Sequence, residues 1–165
     1  MSTLTNVTID EMEIGKKTTY TKTCTEEDIQ LFAKVSGDVN PVHLDAEFAA
    51  TTQFGQRIAH GMYTGALVSA ALGIQLPGPG TIYLGQEIKF KAPVFIGDTI
   101  TVTLEVETLR VEKAIVGLLC TCTNQDGKTV AEGKATVIAP REKITVPAPA
   151  CLLYTSDAAD DLLCV

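Results

Sequence analysis

Gly61-Met62-Tyr63-Thr64-Gly65-Ala66-Leu67-Val68-Ser69-Ala70-Ala71-Leu72-Gly73-Ile74-Gln75-Leu76, entered through His60, is small and apolar nearly all the way round. A helix with no polar face belongs inside other structure rather than on a surface. The stretch also lacks charge from Arg57 to Glu87, which raises the question of a membrane span. Its polar His60, Thr64 and Ser69, its glycines and the break at Pro77-Gly78-Pro79-Gly80 stop it short of the roughly 20 apolar residues a span requires. A buried helix in a globular domain is the better reading, and something must wrap it.

The wrapping follows downstream. Ile82, Leu84, Ile88 and Phe90 alternate with Tyr83, Glu87, Lys89 and Lys91, and Ile100, Val102, Leu104 and Val106 alternate with Thr101, Thr103, Glu105 and Glu107. Such alternation predicts half-buried antiparallel strands. Ala114 to Thr123 is apolar on both faces and so central, and Asn124-Gln125-Asp126-Gly127 marks a hairpin into a last strand, Thr129 to Ile138. One buried helix followed by a four-strand meander predicts an α+β fold with a sheet curled around the helix. A lone sheet of this kind leaves edges and an apolar flank open, so a homodimer is expected.

Upstream, Lys16 to Thr23 reads as a short strand rich in Thr and Tyr. Thr25 with Asp28 three residues on forms a capping-box pattern, and Ile29, Phe32 and Val35 recur at helical spacing. This helix delivers the chain to Ser36-Gly37-Asp38-Val39-Asn40-Pro41-Val42-His43-Leu44-Asp45. Asp45 caps a second short helix through Ala50, and Thr51 to Arg57 connects onward. In the polar cluster, turn-forming Gly, Asn and Pro hold a carboxylate and an imidazole five positions apart. Asp38 and His43 can therefore share a water and do acid–base work, since an imidazole titrates near neutrality and a carboxylate accepts or returns a proton. Asp and Asn also build hydrated turns for their own sake, so the residues alone leave both readings open.

The chain has 165 residues, 45% hydrophobic, with a formal charge of −7. That suits one domain with a sizeable core and argues against a nucleic-acid surface. No basic stretch followed by an apolar run opens the sequence, so a cytoplasmic setting is expected. The cysteine count of five is odd and lacks metal-ligand spacing. Cys120 and Cys122 lie two apart on one strand face and read as reduced core residues. No metal constellation, phosphate loop or nucleotide fingerprint is evident.

The strings Ser36 to His43, Phe48-Ala49-Ala50-Thr51-Thr52, His60-Gly61-Met62, Ile82 to Gln86 and Phe90 to Asp98 resemble the MaoC-like hot-dog hydratases, particularly the short (R)-specific enoyl-CoA hydratases. The resemblance runs from about Gly15 to Ala139, without departure at the core motif. It implies a hot-dog fold, a homodimer with acyl chains near the subunit interface, and Asp38 and His43 as the catalytic dyad. It implies that water adds to a trans-2-enoyl-CoA to give the (R)-3-hydroxyacyl-CoA, with either dyad member taking the first proton. It also implies that the Gly61 N–H, at a helix start, stabilises charge on the thioester oxygen, and that Asn40 orients the dyad or a substrate group. Tight packing and turn formation are the plain alternatives for these two. His60 is left out of the catalytic set, because a helix N-terminus disfavours an imidazolium. Arg57, Lys89 and Lys91 are candidates for the coenzyme A phosphates. Coenzyme A arrives as the substrate's carrier, so no separate cofactor and no metal is expected, and neither nucleic acid nor membrane is expected as a partner. The rival readings are a 3-hydroxyacyl dehydratase acting on carrier-protein substrates, a hot-dog thioesterase and a non-catalytic acyl-binding module.

Domain organisation is read as one hydratase domain over 1–140, a linker over 141–150 and a non-native tail over 151–165. Cys151 to Asp160 resembles one reading frame of a transposase-based library adapter, which implies translated adapter sequence. Without Asp157, Asp160 and Asp161 of that tail the balance is 17 acidic against 13 basic residues, still acidic.

Overall fold

A computed structural model describes residues 2–149; the tail read over 151–165 lies outside the described residues. The strands are β1 (Thr3–Thr5), β2 (Lys17–Thr23), β3 (Ile82–Phe90), β4 (Thr99–Arg110), β5 (Ile115–Thr123), β6 (Thr129–Ile138) and β7 (Thr145–Pro147). The helices are α1 (Glu26–Ser36), α2 (Pro41–Leu44), α3 (Ala46–Ala50) and α4 (Gly61–Ile74).

The main sheet is antiparallel with strand order β2-β4-β5-β6-β3. Only β4, β5 and β6 form a meander. β3, expected to lead it, instead crosses to the far edge and pairs with β6, Ile88 opposite Gly133. The alternating residues of β4 and β5, from Ile100 and Val102 to Val116 and Leu118, are fully buried against Leu67, Val68, Ala71 and Leu72 of α4. At about 25 cal/mol per Å² of apolar surface, this shared core is the main source of stability. An antiparallel sheet curled around one helix is the hot-dog fold.

Two parts of the wrapping differ from expectation. Met62, Ala66, Ser69 and Gly73 form an exposed stripe down α4, because one sheet of this curvature covers only part of the helix circumference. In β3, Leu84 is an extra residue where pairing jumps from Tyr83–Val137 to Gly85–Thr136. That bulge shifts the side-chain alternation, so Ile82 and Leu84 stay half exposed while Ile88 reaches the core; Phe90, on the same face as Ile88, is half exposed at the strand end beside Gly61.

Residues 141–149 are more than a linker. β7 pairs with β1, and the buried Asn6 amide donates to the Glu142 carbonyl at 2.9 Å and accepts from Ile144 N–H at 3.0 Å. None of the described helices is long and apolar enough to cross a membrane. Cys24, Cys120 and Cys122 are free and buried. Burial pushes the Cys120 thiol up to about 11 and Cys122 to about 12, so both stay protonated and inert.

Candidate active site

The site begins at the start of α1. Thr25 Oγ1 accepts from Asp28 N–H at 3.1 Å while Asp28 accepts from Thr25 N–H at 3.0 Å, the expected capping box. Asp28 also pairs with Lys22 at 2.9 Å and accepts from the Tyr63 hydroxyl at 3.3 Å, so α1 is tied to both β2 and α4. The helix ends at Gly37, whose φ of 76° is a left-handed cap that a side chain would strain. The chain then turns sharply into Asp38.

Local bonds shape the loop. Asp38 N–H donates to Ser36 Oγ at 3.2 Å and Asp38 Oδ1 accepts from Asn40 N–H at 3.1 Å. Asn40 Oδ1 accepts from Val42 N–H at 3.2 Å, capping α2, with Pro41 in the first helical turn. Asn40 thus starts the short helix that carries His43, a turn the sequence reading treated as loop. Asp45 caps α3 through the Glu47 and Phe48 N–H groups, as expected.

His43 is buried, and its Nδ1 lies 2.7 Å from the Ile58 carbonyl oxygen. A carbonyl only accepts, so Nδ1 carries the hydrogen and Nε2 is left as the free nitrogen. Ile58 is itself fixed by a bridge to Phe95, and Ala59 N–H donates to Val94 O at 2.8 Å. Burial lowers the His43 pKa below its ordinary 6.5, and the neighbouring His60 lowers it further, while the Ile58 bond and the Asp38 charge oppose the shift. The net direction is down, so the ring is neutral at pH 7 and competent as a base.

An Asp38 carboxylate oxygen and a ring nitrogen from each of His43 and His60 all lie within 4.8 Å of one another. The sequence separation of Asp38 and His43 is therefore closed in space. The same three side chains also make a metal-like grouping that spacing in the sequence did not reveal. His60 is ill suited as the third ligand, because one nitrogen bonds the Asp38 carbonyl and the other is sealed in the interior.

A pocket of about 360 Å³ opens beside the dyad, lined by His43, Gly61, Thr64 and Phe90 among others and mostly apolar. Asp38 stands exposed next to it rather than in its wall. Gly61 is the first residue of α4, so its N–H has no partner inside the helix and sits at the positive end of the dipole. A Cβ there would lie 3.0–3.3 Å from the Phe90 ring, so the missing side chain makes room for Phe90 as well as for any ligand.

Of the basic candidates, Arg57 is committed to a two-pronged pair with Glu26. Lys91 lines the pocket and pairs with Glu132 at 2.7 Å, an exposed bridge of the kind worth about 0–1 kcal/mol. Lys89 forms no ion pair among the described residues and lies outside this pocket. The residues the sequence reading missed are Ile58, whose contribution is a backbone carbonyl with no side-chain signature, and Phe90, which strand alternation assigned to packing.

The chain is similar to known proteins over most of its length. The MaoC-like domain family matches residues 10–139. The chain is 50% identical over 131 residues to an (R)-specific enoyl-CoA hydratase of Rhodospirillum rubrum, covering 79% of this chain and 90% of that protein. It is 44% identical over 138 residues to a 3-hydroxybutyryl-CoA dehydratase of Methylorubrum extorquens, covering 84% and 87%. Among solved structures it resembles the unliganded R-hydratase PhaJ1 of Pseudomonas aeruginosa, with a TM-score of 0.86, 52% identity and coverage of 90% of this chain and 95% of that one. With its fold, its Asp-His loop and this match over most of its length, the chain belongs to the MaoC-like domain family.

Proposed function

We propose that this protein is an (R)-specific enoyl-CoA hydratase that adds water reversibly to a trans-2-enoyl-CoA. The observation that carries the reading is a neutral, buried His43 whose Nε2 is left free by the Ile58 bond and whose ring has a nitrogen within 4.8 Å of the Asp38 carboxylate, at a pocket lined by the helix-start residue Gly61. The names of the similar proteins support the same reaction class.

In this reading a water held between Asp38 and His43 attacks C3 of the enoyl thioester. His43 Nε2 takes one proton from it as the C–O bond forms, and Asp38 holds the water by accepting its other hydrogen. Electron density moves through C2 to the thioester oxygen, where the Gly61 N–H stabilises it. The proton taken from water is then returned to C2, so the hydrogen count closes without a cofactor or metal. Both new bonds form on the face turned to the dyad, which makes the addition syn, and the (R)-configuration of the product is supported by the names of the similar hydratases. Asn40 contributes by fixing the helix that aims His43. Coenzyme A enters and leaves as part of substrate and product, and Lys91 is the cation best placed to meet it, since its surface pair is easily exchanged.

The reading includes a homodimer. The open backbone edge of β3, the half-exposed Ile82, Leu84 and Phe90, and the bare stripe of α4 together make a surface that a second copy would cover. Light scattering is expected to give twice the mass of one chain. The protonated buried thiols suit a reducing, cytoplasmic setting.

Crotonyl-CoA tests the function directly. Loss of the enoyl-thioester absorbance without thiol release is expected. Thiol release would make the protein a thioesterase, and no change in either signal would favour a carrier-protein substrate or a binding module.

A further inference from the structure

His60 touches both halves of the dyad although it stands at the start of a different element. Its Nε2 lies 2.9 Å from the Asp38 carbonyl oxygen, across a sequence separation of 22 residues. Its ring packs on the His43 ring with centroids 3.9 Å apart and a tilt of 31°, and Phe32 packs on it in turn at 5.0 Å. Among the described residues the other hydrogen bonds of Asp38 reach only two positions along the same exposed loop, to Ser36 and Asn40. His60 is therefore the bond that ties Asp38 to the rigid, buried helix α4.

The second nitrogen sharpens the point. His60 is 2% exposed and its Nδ1 has no hydrogen-bond partner among the described residues. Burying an unpaired polar atom is unfavourable, and an apolar side chain would fill the same space without that penalty. Packing alone does not explain an imidazole here. The bond made by Nε2 does.

We infer that His60 is a positioning residue of the hydration site, holding the Asp38 backbone and the His43 ring in one register. The inference rests on the hydratase reading. Misplacing a reacting group by about 1 Å can cost on the order of 10²-fold in rate. Two conservative variants separate the two contacts. His60→Phe keeps a ring against His43 but removes the donor to Asp38, and His60→Gln keeps a donor but removes the ring.

Both variants, with melting temperature and circular dichroism recorded, are assayed against crotonyl-CoA. The expected result is a protein with wild-type circular dichroism and a melting temperature well above the assay temperature, so that no unfolded fraction lowers the apparent kcat, whose kcat falls about 10- to 100-fold in each while KM stays within about twofold. Phe32→Leu, which removes the other ring packed on His60, supplies a further variant if either substitution fails to fold, and is expected to lower kcat by a smaller factor at unchanged KM. Wild-type turnover with variants at full kcat overturns the role of His60 and leaves the hydratase reading intact. A wild-type chain that does not hydrate crotonyl-CoA overturns the hydratase reading, and the positioning role falls with it.

Discussion

The His43 ring is oriented by the Ile58 carbonyl, 2.7 Å from its Nδ1, so the nitrogen available for chemistry is Nε2. Because burial lowers the His43 pKa from 6.5, the ring must lose its proton at a pH below that value on the way to the active form. The acid limb of kcat/KM, which reports the free enzyme, is therefore expected to have its midpoint below pH 6.5, with activity falling as pH drops through it. Initial rates between about pH 5 and 8 check this. A midpoint above 6.5 would mean that the Ile58 bond and the Asp38 charge together outweigh burial at this ring.

Asp38→Asn and His43→Gln should each fold and lose about 10²- to 10⁴-fold in kcat, the range of general acid–base residues. Gln retains a donor that can meet Ile58 O, so the loss reports chemistry more than collapse of the wall. Steady-state kinetics with thermal melts check the pair. Full activity in either variant removes that residue from the mechanism.

At Gly61, packing and substrate approach make different predictions. Gly61→Ala places a methyl 3.0–3.3 Å from the Phe90 ring, but that ring is half exposed and free to swing away. Activity is expected to drop at least tenfold, by about 1.4 kcal/mol or more in the barrier, and to stay low when Phe90→Ala is added. Recovery in the double variant would show that Gly61 serves only to accommodate Phe90.

The segment after the last sheet strand carries stability. Ending the chain at Pro140 removes β7 and leaves the Asn6 amide, 1% exposed, without its partners at 142 and 144. An unsatisfied buried polar group costs about 1–3 kcal/mol, or several degrees in Tm for a chain of this size. Because 151–165 is proposed as a non-native tail, ending the chain at Ala150 is expected to leave Tm and activity unchanged. Differential scanning of both truncations checks both statements.

The central helix, the capping box at Thr25, the alternation of β4 and the short Asp45-capped helix were legible because each rests on local spacing or local hydrogen bonding. The Asp38 and His43 pair was legible as a motif on one loop. What escaped depends on long-range placement. Nothing in Ile82 to Phe90 says that this strand crosses to pair with β6, and the bulge at Leu84 reverses which residues face inward. β1 and β7 are three residues each and gain their order from one another across the whole chain. The carbonyl of Ile58 and the contacts of His60 involve a backbone atom and a ring whose meaning appears only when α2, α4 and the loop after α1 come together.

The claim that both dyad members act on one face of the substrate is tested most directly by hydrating crotonyl-CoA in D₂O and determining the configuration of the product at C3 and C2 by NMR. The account predicts (R)-3-hydroxybutyryl-CoA with the C2 deuterium delivered to the same face as the new hydroxyl. Deuterium on the opposite face, or the (S)-alcohol, would contradict it.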